Sequence, residues 1–247
     1  MITRKSLWIL PVLCLPLASH AQQNDRMPPV QIRAVWHGPT QPAAELFLTD
    51  KTGALVKLDF RVEGPSDAQF TLPINGSLVL YDRAEIDPNK PEAFVAASCK
   101  IPPDLKRAIV IVLPAPSGSK TACQMMVIDD SSKAFPKGES RVLPLLTVEA
   151  AIEAGEHKLP IHPGKITKVP PVSKVDEFNM AQTNFYYKQG ESWVPFTERQ
   201  LQYIDDYRRI FIVHVPPGAT QPMVTTIVDV APAILPPSQG RRKAGHE

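Results

Sequence analysis

The chain is predicted to be all-β, built from one or two Ig-like antiparallel β-sandwiches, with two in tandem as the working architecture. Three observations predict this. From Val30 to Val230 the apolar residues fall in strand-sized segments separated by turn residues, and no window sustains a long 3.6-residue period. Proline occurs 27 times in 247 residues, about twice the ordinary usage of ~5%. Each proline removes a backbone donor and fixes φ, so long helices are disfavoured and short strands with firm turns are favoured. Hairpin dipeptides also sit where such strands need them, most clearly Asn75-Gly76.

Before the strands, Arg4 and Lys5, an apolar run from Leu7 to Leu17, and Ser19-His20-Ala21 read as a secretory signal peptide cut before Gln22. The run is too short to span a bilayer as a helix, and Ser19-His20-Ala21 is a better cleavage site than a lipoprotein cut at Cys14. The expected address is secreted or periplasmic. A flexible leader, 22–29, comes next.

The first strand is Val30 to Trp36, where Val30, Ile32, Ala34 and Trp36 alternate against Gln31 and Arg33. Glu45 to Leu48 and Ala54 to Phe60 flank a turn at Asp50 to Gly53. Phe70 to Ile74 and Ser77 to Tyr81 flank Asn75-Gly76. Further strands are expected at Ala93 to Ile101, Arg107 to Leu113, Cys123 to Asp129 and Arg141 to Val148. Val148 to Ala154 fits a short helix or a bulged strand equally well. Leu159 to His162, a Pro163-Gly164 turn, Lys165 to Pro170, Asn184 to Tyr187, Trp193 to Phe196, Leu201 to Ile204, Arg209 to Val215 and Val224 to Val230 complete the series. Lys188 to Glu191 and Asp205-Asp206-Tyr207 read as hairpin turns.

Pro114-Ala115-Pro116-Ser117-Gly118-Ser119 is the best internal boundary, giving sandwiches at 30–116 and 117–232 and a disordered basic tail at 233–247 with Arg241, Arg242 and Lys243. No exact internal repeat is visible, although each half holds an apolar strand ending near proline and a late β-rich pair.

Loss of Arg4 and Lys5 leaves 25 basic against 25 acidic residues. A field that would attract nucleic acid is therefore not expected. Two cysteines remain, Cys99 and Cys123, and an oxidising compartment makes one structural disulfide between them the default expectation. Strand alternation lets both sulfurs face one core.

Chemical motifs are sparse. His157 and His162 have a spacing that sends them to opposite faces of an extended segment, and His37 and His214 stand isolated in the sequence, so no metal is expected. No Gly-x-Ser-x-Gly elbow, Walker loop or dinucleotide fingerprint occurs. Asp129-Asp130 reads as a strand end and Asp205-Asp206 as a turn, so no catalytic residue and no cofactor is assigned. Tyr186, Tyr187, Trp193 and Phe196 form an aromatic cluster that is the first candidate for binding, since rings on a sheet face stack on sugars or grip peptides.

Phe135-Pro136-Lys137-Gly138, Leu143 to Val148, Lys158 to Lys165, Tyr186-Tyr187, Trp193 and Arg209 to Val215 together resemble an uncharacterised family of exported bacterial all-β, Ig-like proteins. The resemblance covers about half the mature chain and implies fold and export only. The expected function is a non-enzymatic structural or protein-binding role at the cell envelope. A carbohydrate-binding module using the aromatic strands is the alternative, and a hydrolase with an unrecognised site is third. The expected partner is an envelope protein or a polysaccharide.

Overall fold

The structure is a computed structural model and describes residues 27–230 apart from 41, 43 and 62. The expected signal peptide, most of the leader and the basic tail lie outside the described residues. Among the described residues, sixteen strands form four four-stranded sheets, with one 3-10 turn at Pro91–Phe94.

In the first half, sheet I has the order β4 (Gln69–Thr71), β1 (Val30–Trp36), β7 (Arg107–Pro114), β8 (Cys123–Asp129). Sheet II has β3 (Leu55–Lys57), β2 (Phe47–Thr49), β5 (Ser77–Tyr81), β6 (Val95–Lys100). In the second half, sheet III has β12 (Thr167–Val169), β9 (Ser140–Pro144), β15 (Tyr207–His214), β16 (Met223–Val230). Sheet IV has β11 (His157–Ile161), β10 (Ala150–Ala154), β13 (Met180–Gln189), β14 (Ser192–Gln202). Pairing is antiparallel except at the centres of sheets I and III, where β1 lies parallel to β7 and β9 parallel to β15.

Three apolar clusters set the layer order II, I, III, IV. Val30, Ile32, Ala34, Val110 and Val112 of sheet I meet Leu48, Leu78 and Leu80 of sheet II. Val142, Phe211 and Val213 of sheet III meet Ile152, Ala154 and Phe185 of sheet IV. Between the two sandwiches, Val35, Ile109, Ile111 and Ile128 of sheet I meet Leu143, Ile210, Ile212 and Ile227 of sheet III. Sheets I and III are thus covered on both faces, which is why Ala108 to Leu113 and Arg208 to Val213 are buried without interruption.

The strand orders of the halves are identical, each strand of the second standing eight places after its counterpart in the first. The register agrees residue by residue. Arg33 pairs with Ile109, which pairs with Ile128; Arg141 pairs with Ile210, which pairs with Ile227. His37 N–H donates to Val112, and Leu145 N–H donates to Val213. The β7–β8 and β15–β16 loops share one turn: Ser119 N–H donates to Pro116 and Ala219 N–H to Pro216, with Gly118 at φ 84 and Gly218 at φ 80 in the left-handed region glycine tolerates. Irregular pairing recurs at Leu80/Tyr81 and Phe185/Tyr186. The chain is a structural duplication whose halves pack about a pseudo-twofold axis, so that the interface residues on the two sides are each other's counterparts.

Several sequence expectations change. Pro114 to Ser119 lies in the β7–β8 hairpin, and the passage between halves falls at 130–139 instead. Asn75 (φ 50) and Gly76 (φ 74) make the expected tight turn, with Ile74 and Ser77 exchanging hydrogen bonds, but β4 and β5 then part into different sheets. The Asp205-Asp206 turn likewise crosses from sheet IV to sheet III. Val148 to Ala154 resolves as strand β10, with Ala150, Ile152 and Ala154 turned to the core. Both cysteines adjoin one core as expected, yet the disulfide is not formed. Cys123 is buried and free, while the free Cys99 thiol is half-buried and directed to the Lys100 carbonyl at 3.4 Å.

Candidate functional site

A cleft of about 910 Å³ runs along the free edge of β16. Thr225 to Val230 form one wall, and the segment 63–68 before β4 forms a shelf beside it. Ser66 fixes the shelf to β1, donating its N–H to the Ala34 carbonyl at 2.8 Å and accepting the Ala34 N–H on Oγ at 2.9 Å. Gly64 (φ +70) approaches β16 so closely that a Cβ there would lie 3.2 Å from the Val228 carbonyl oxygen. Only glycine combines that φ with that approach.

The inner end of the cleft is a buried charge network. Arg33 makes two forks, Nε and Nη2 donating to Asp130 at 3.1 and 2.9 Å, and Nη1 and Nη2 to Asp229 at 2.6 and 2.8 Å. Arg208 donates through Nε to Asp229 at 2.9 Å, through Nη2 to Asp130 at 2.7 Å, and through Nη1 to the Phe135 carbonyl at 2.9 Å. The pseudo-twofold relates Asp130 to Asp229, Arg33 to Arg141 and Arg107 to Arg208. Burial pushes Asp229 upward, but the hydrogen bonds and charges of Arg33 and Arg208 outweigh it and hold the carboxyl below its ordinary value. The groups neutralise one another across both sandwiches, which suits a fixed strut more than proton transfer.

At the outer end the structure joins two histidines that are 177 positions apart in the chain. His37 and His214 meet edge to face with centroids 4.6 Å apart, and the His214 ring nitrogen bonds Thr225 Oγ1 at 3.1 Å. Their pseudo-equivalents are Leu145 and Leu113. Burial, then His214, lowers His37 from 6.5 to about 4, and burial lowers His214. Because the folded values lie below the unfolded one, the unfolded chain takes up protons first; the contribution is complete above pH 6.5 and is lost as pH falls from 6.5 towards 4. Replacing both histidines with leucine is expected to remove that loss, which after solvent screening amounts to about 1–2 kcal/mol. Urea midpoints at pH 7.5 and 5.0 measure it, and an unchanged difference between them in the double variant would refute the assignment.

The aromatic candidates divide. Trp193 is 48% exposed, and register across Lys188 places it on the outer face of sheet IV with Tyr186, whose hydroxyl donates to Glu153 at 3.1 Å. Tyr187 and Phe196 turn inward, their rings 5.9 Å apart, with Phe196 also 6.1 Å from Phe185. His157 and His162 are held apart, the first against the Pro171 carbonyl at 2.9 Å and the second 3.7 Å from Glu149. Asp130 and Asp229, the buried acids, carry no local signal in the sequence: Asp130 reads with Asp129 as a strand end, and Asp229 stands alone between two valines.

Compared with protein-family models and with curated proteins, the chain matches none.

Proposed function

We propose that the mature chain is exported, is not an enzyme, and holds an extended segment of an envelope protein by adding it as a strand to β16. The observation that carries this reading is the character of that edge. Strand edges present unpaired backbone groups and are ordinarily blunted by charge or proline. Among the longer edges, β14 carries Pro195, Glu198 and Arg199, β11 carries Lys158 and Pro160, and β8, with Asp129 its one charge, is packed against β6. The eight residues of β16 contain one charge, Asp229, and it is buried in the network. Val228 and Val230 are exposed on the edge, and the buried Thr226 Oγ1 has no hydrogen-bond partner among the described residues. A strand seated there would displace Gly64 from the Val228 carbonyl and meet backbone partners on β16 beside a small-residue shelf at Pro65 and Ala68, the arrangement strand addition uses.

A photo-cross-linking residue at Val228 in the exported protein is expected to give a discrete adduct in the envelope fraction, lost when Thr226→Lys charges the edge. The same group at Gln200 on β14 is expected to give none. Equal labelling from both edges, or an adduct indifferent to Thr226→Lys, would sink the reading. The shared outer face of Tyr186 and Trp193 favours a second reading, polysaccharide binding: retention on a polysaccharide column that Trp193→Ala abolishes, without any Val228 adduct, would replace the first.

A further inference from the structure

Pairing within sheet III fixes which backbone groups of β16 are free. On the β9 side of β15, the Arg209 N–H donates to the Glu139 carbonyl, and the Leu145 N–H donates to the Val213 carbonyl. With the parallel pairs Arg209–Ser140 and Val213–Pro144, this turns the N–H and C=O groups of Arg209, Phe211 and Val213 toward β9. Those of Arg208, Ile210, Ile212 and His214 therefore face β16, where they meet Asp229, Ile227, Thr225 and Met223. The alternate residues Val224, Thr226, Val228 and Val230 point their N–H and C=O groups to the free edge. The close approach of Gly64 to the Val228 carbonyl oxygen is an independent sign of the same phase.

A strand added to this edge carries its side chains on two faces. Residues opposite Val224, Thr226 and Val228 share the face turned to sheet IV, where Val224 lies in the core with Phe211 and Val213. Residues opposite Ile227 and Asp229 share the face turned to sheet I and enter the cleft, whose far wall is Arg33, Val35 and Trp36. The chemistry of that wall is restrictive. Asp229 already accepts from Arg33 at 2.6 and 2.8 Å and from Arg208 at 2.9 Å, and Arg33 spends Nε and Nη2 on Asp130. An incoming cation finds those carboxylate oxygens occupied, and an incoming carboxylate meets Asp229. Ile227 and Val35 are apolar, and the flat face of a guanidinium bonded along its edges takes an apolar side chain without losing those bonds.

We propose that the segment held by β16 is an alternating strand, paired along Val224 to Val230, whose side chains opposite Ile227 and Asp229 are uncharged, apolar and seated in the cleft. This names the partner's chemistry and rests on the strand-addition reading. Backbone pairing supplies the attachment, and the cleft selects which segment is held.

The probe is a fluorescently labelled peptide, Thr-Val-Thr-Val-Thr-Val-Thr, whose alternation is the same in either direction, and its binding to the full mature chain is followed by anisotropy. Lysine or aspartate in place of the central valine, the residue opposite Ile227, is expected to weaken binding at least tenfold. The same charges in place of a terminal threonine are expected to change it less than threefold. Val228→Pro in the protein removes an edge-facing N–H that β15 does not use, so the ladder stays whole, and it is expected to weaken the parent peptide at least tenfold. Equal affinity for the charged-centre and parent peptides, with binding still lost in Val228→Pro, would overturn this partner chemistry and leave strand addition standing. Parent-peptide binding that is indifferent to Val228→Pro would overturn strand addition at β16 itself.

Discussion

Arg33→Met is expected to lower the unfolding free energy by about 3–5 kcal/mol, because it strands two buried carboxylates against a single buried guanidinium. Asp130 and Asp229 are 3% and 1% exposed, and Arg33 supplies four of the hydrogen bonds they accept. For a protein of this size that corresponds to a fall in melting temperature of roughly 6–20 °C. The sign with pH is fixed by the direction of the Asp229 shift. Its folded value is depressed, so its contribution is complete above the unfolded carboxyl value of 3.8 and is lost as pH falls below that, through the folded value. Replacing Arg33, Asp130, Arg208 and Asp229 together with apolar residues of similar volume is expected to cost far less than Arg33→Met alone, since no charge is then left buried without a partner. Chemical denaturation of the two variants decides it. A loss under about 1 kcal/mol for Arg33→Met would mean that water reaches the network and the strut is not one.

Phe135→Ala is expected to destabilise by a similar amount, about 3–5 kcal/mol, as a large ring removed from a closed interface leaves a cavity. Phe135 is 1% exposed, packs within the cluster between sheets I and III, and lies against two guanidinium faces. Its backbone is held as well: Arg208 donates to the Phe135 carbonyl and Arg141 to that of Ala134. The loss should therefore appear mainly as faster unfolding and weaker coupling between the halves, not as failure of either core. Exchange protection in Val110 and Phe211, each in the core of its own sandwich, is expected to outlast protection in Ile109 and Ile210 side by side with them. Uniform loss across all four would contradict a separable interface.

Much of the fold is legible in the sequence because sheet formation leaves a local record. Alternation at Val30, Ile32 and Ala34, the turns at Asp50 to Gly53 and Asn75-Gly76, and the prolines all act over a few residues and survive reading in isolation. Sheet pairing is less legible. Asn75-Gly76 and Asp205-Asp206 make tight turns, but whether the flanking strands pair or separate into two layers depends on which apolar faces find each other at long range. The duplication is hidden because the matching residues are few and scattered: Ile109 with Ile210, Ile128 with Ile227, Asp130 with Asp229, and a Pro-x-Gly turn at Gly118 and Gly218. Loops of unequal length between them break any constant spacing.

The candidate site is the least legible part. Arg33 alternates with Ile32 and Ala34 and so reads as a solvent-facing position on a half-buried strand. It is buried because sheet III covers that face, a fact no window around Arg33 contains. His37 and His214 read as isolated for the same reason, and meet only because the ends of β1 and β15 are stacked. The cysteines show the converse: alternation correctly sends both sulfurs toward one core, but bonding needs a closeness that alternation cannot fix.

Taken alone, the amino-acid order determined that this chain makes sheets, roughly where each strand begins and ends, and which side chains are apolar enough to form cores, since those are properties of neighbours along the backbone. Tertiary structure decided that the two sandwiches stack face to face, that four charges far apart in the chain share one buried network, and that β16, its one charge held in that network, is left as an edge on a cleft. Those outcomes depend on packing between surfaces far apart in sequence, where burial, and not residue type, decides whether an arginine is a solvent contact or a strut.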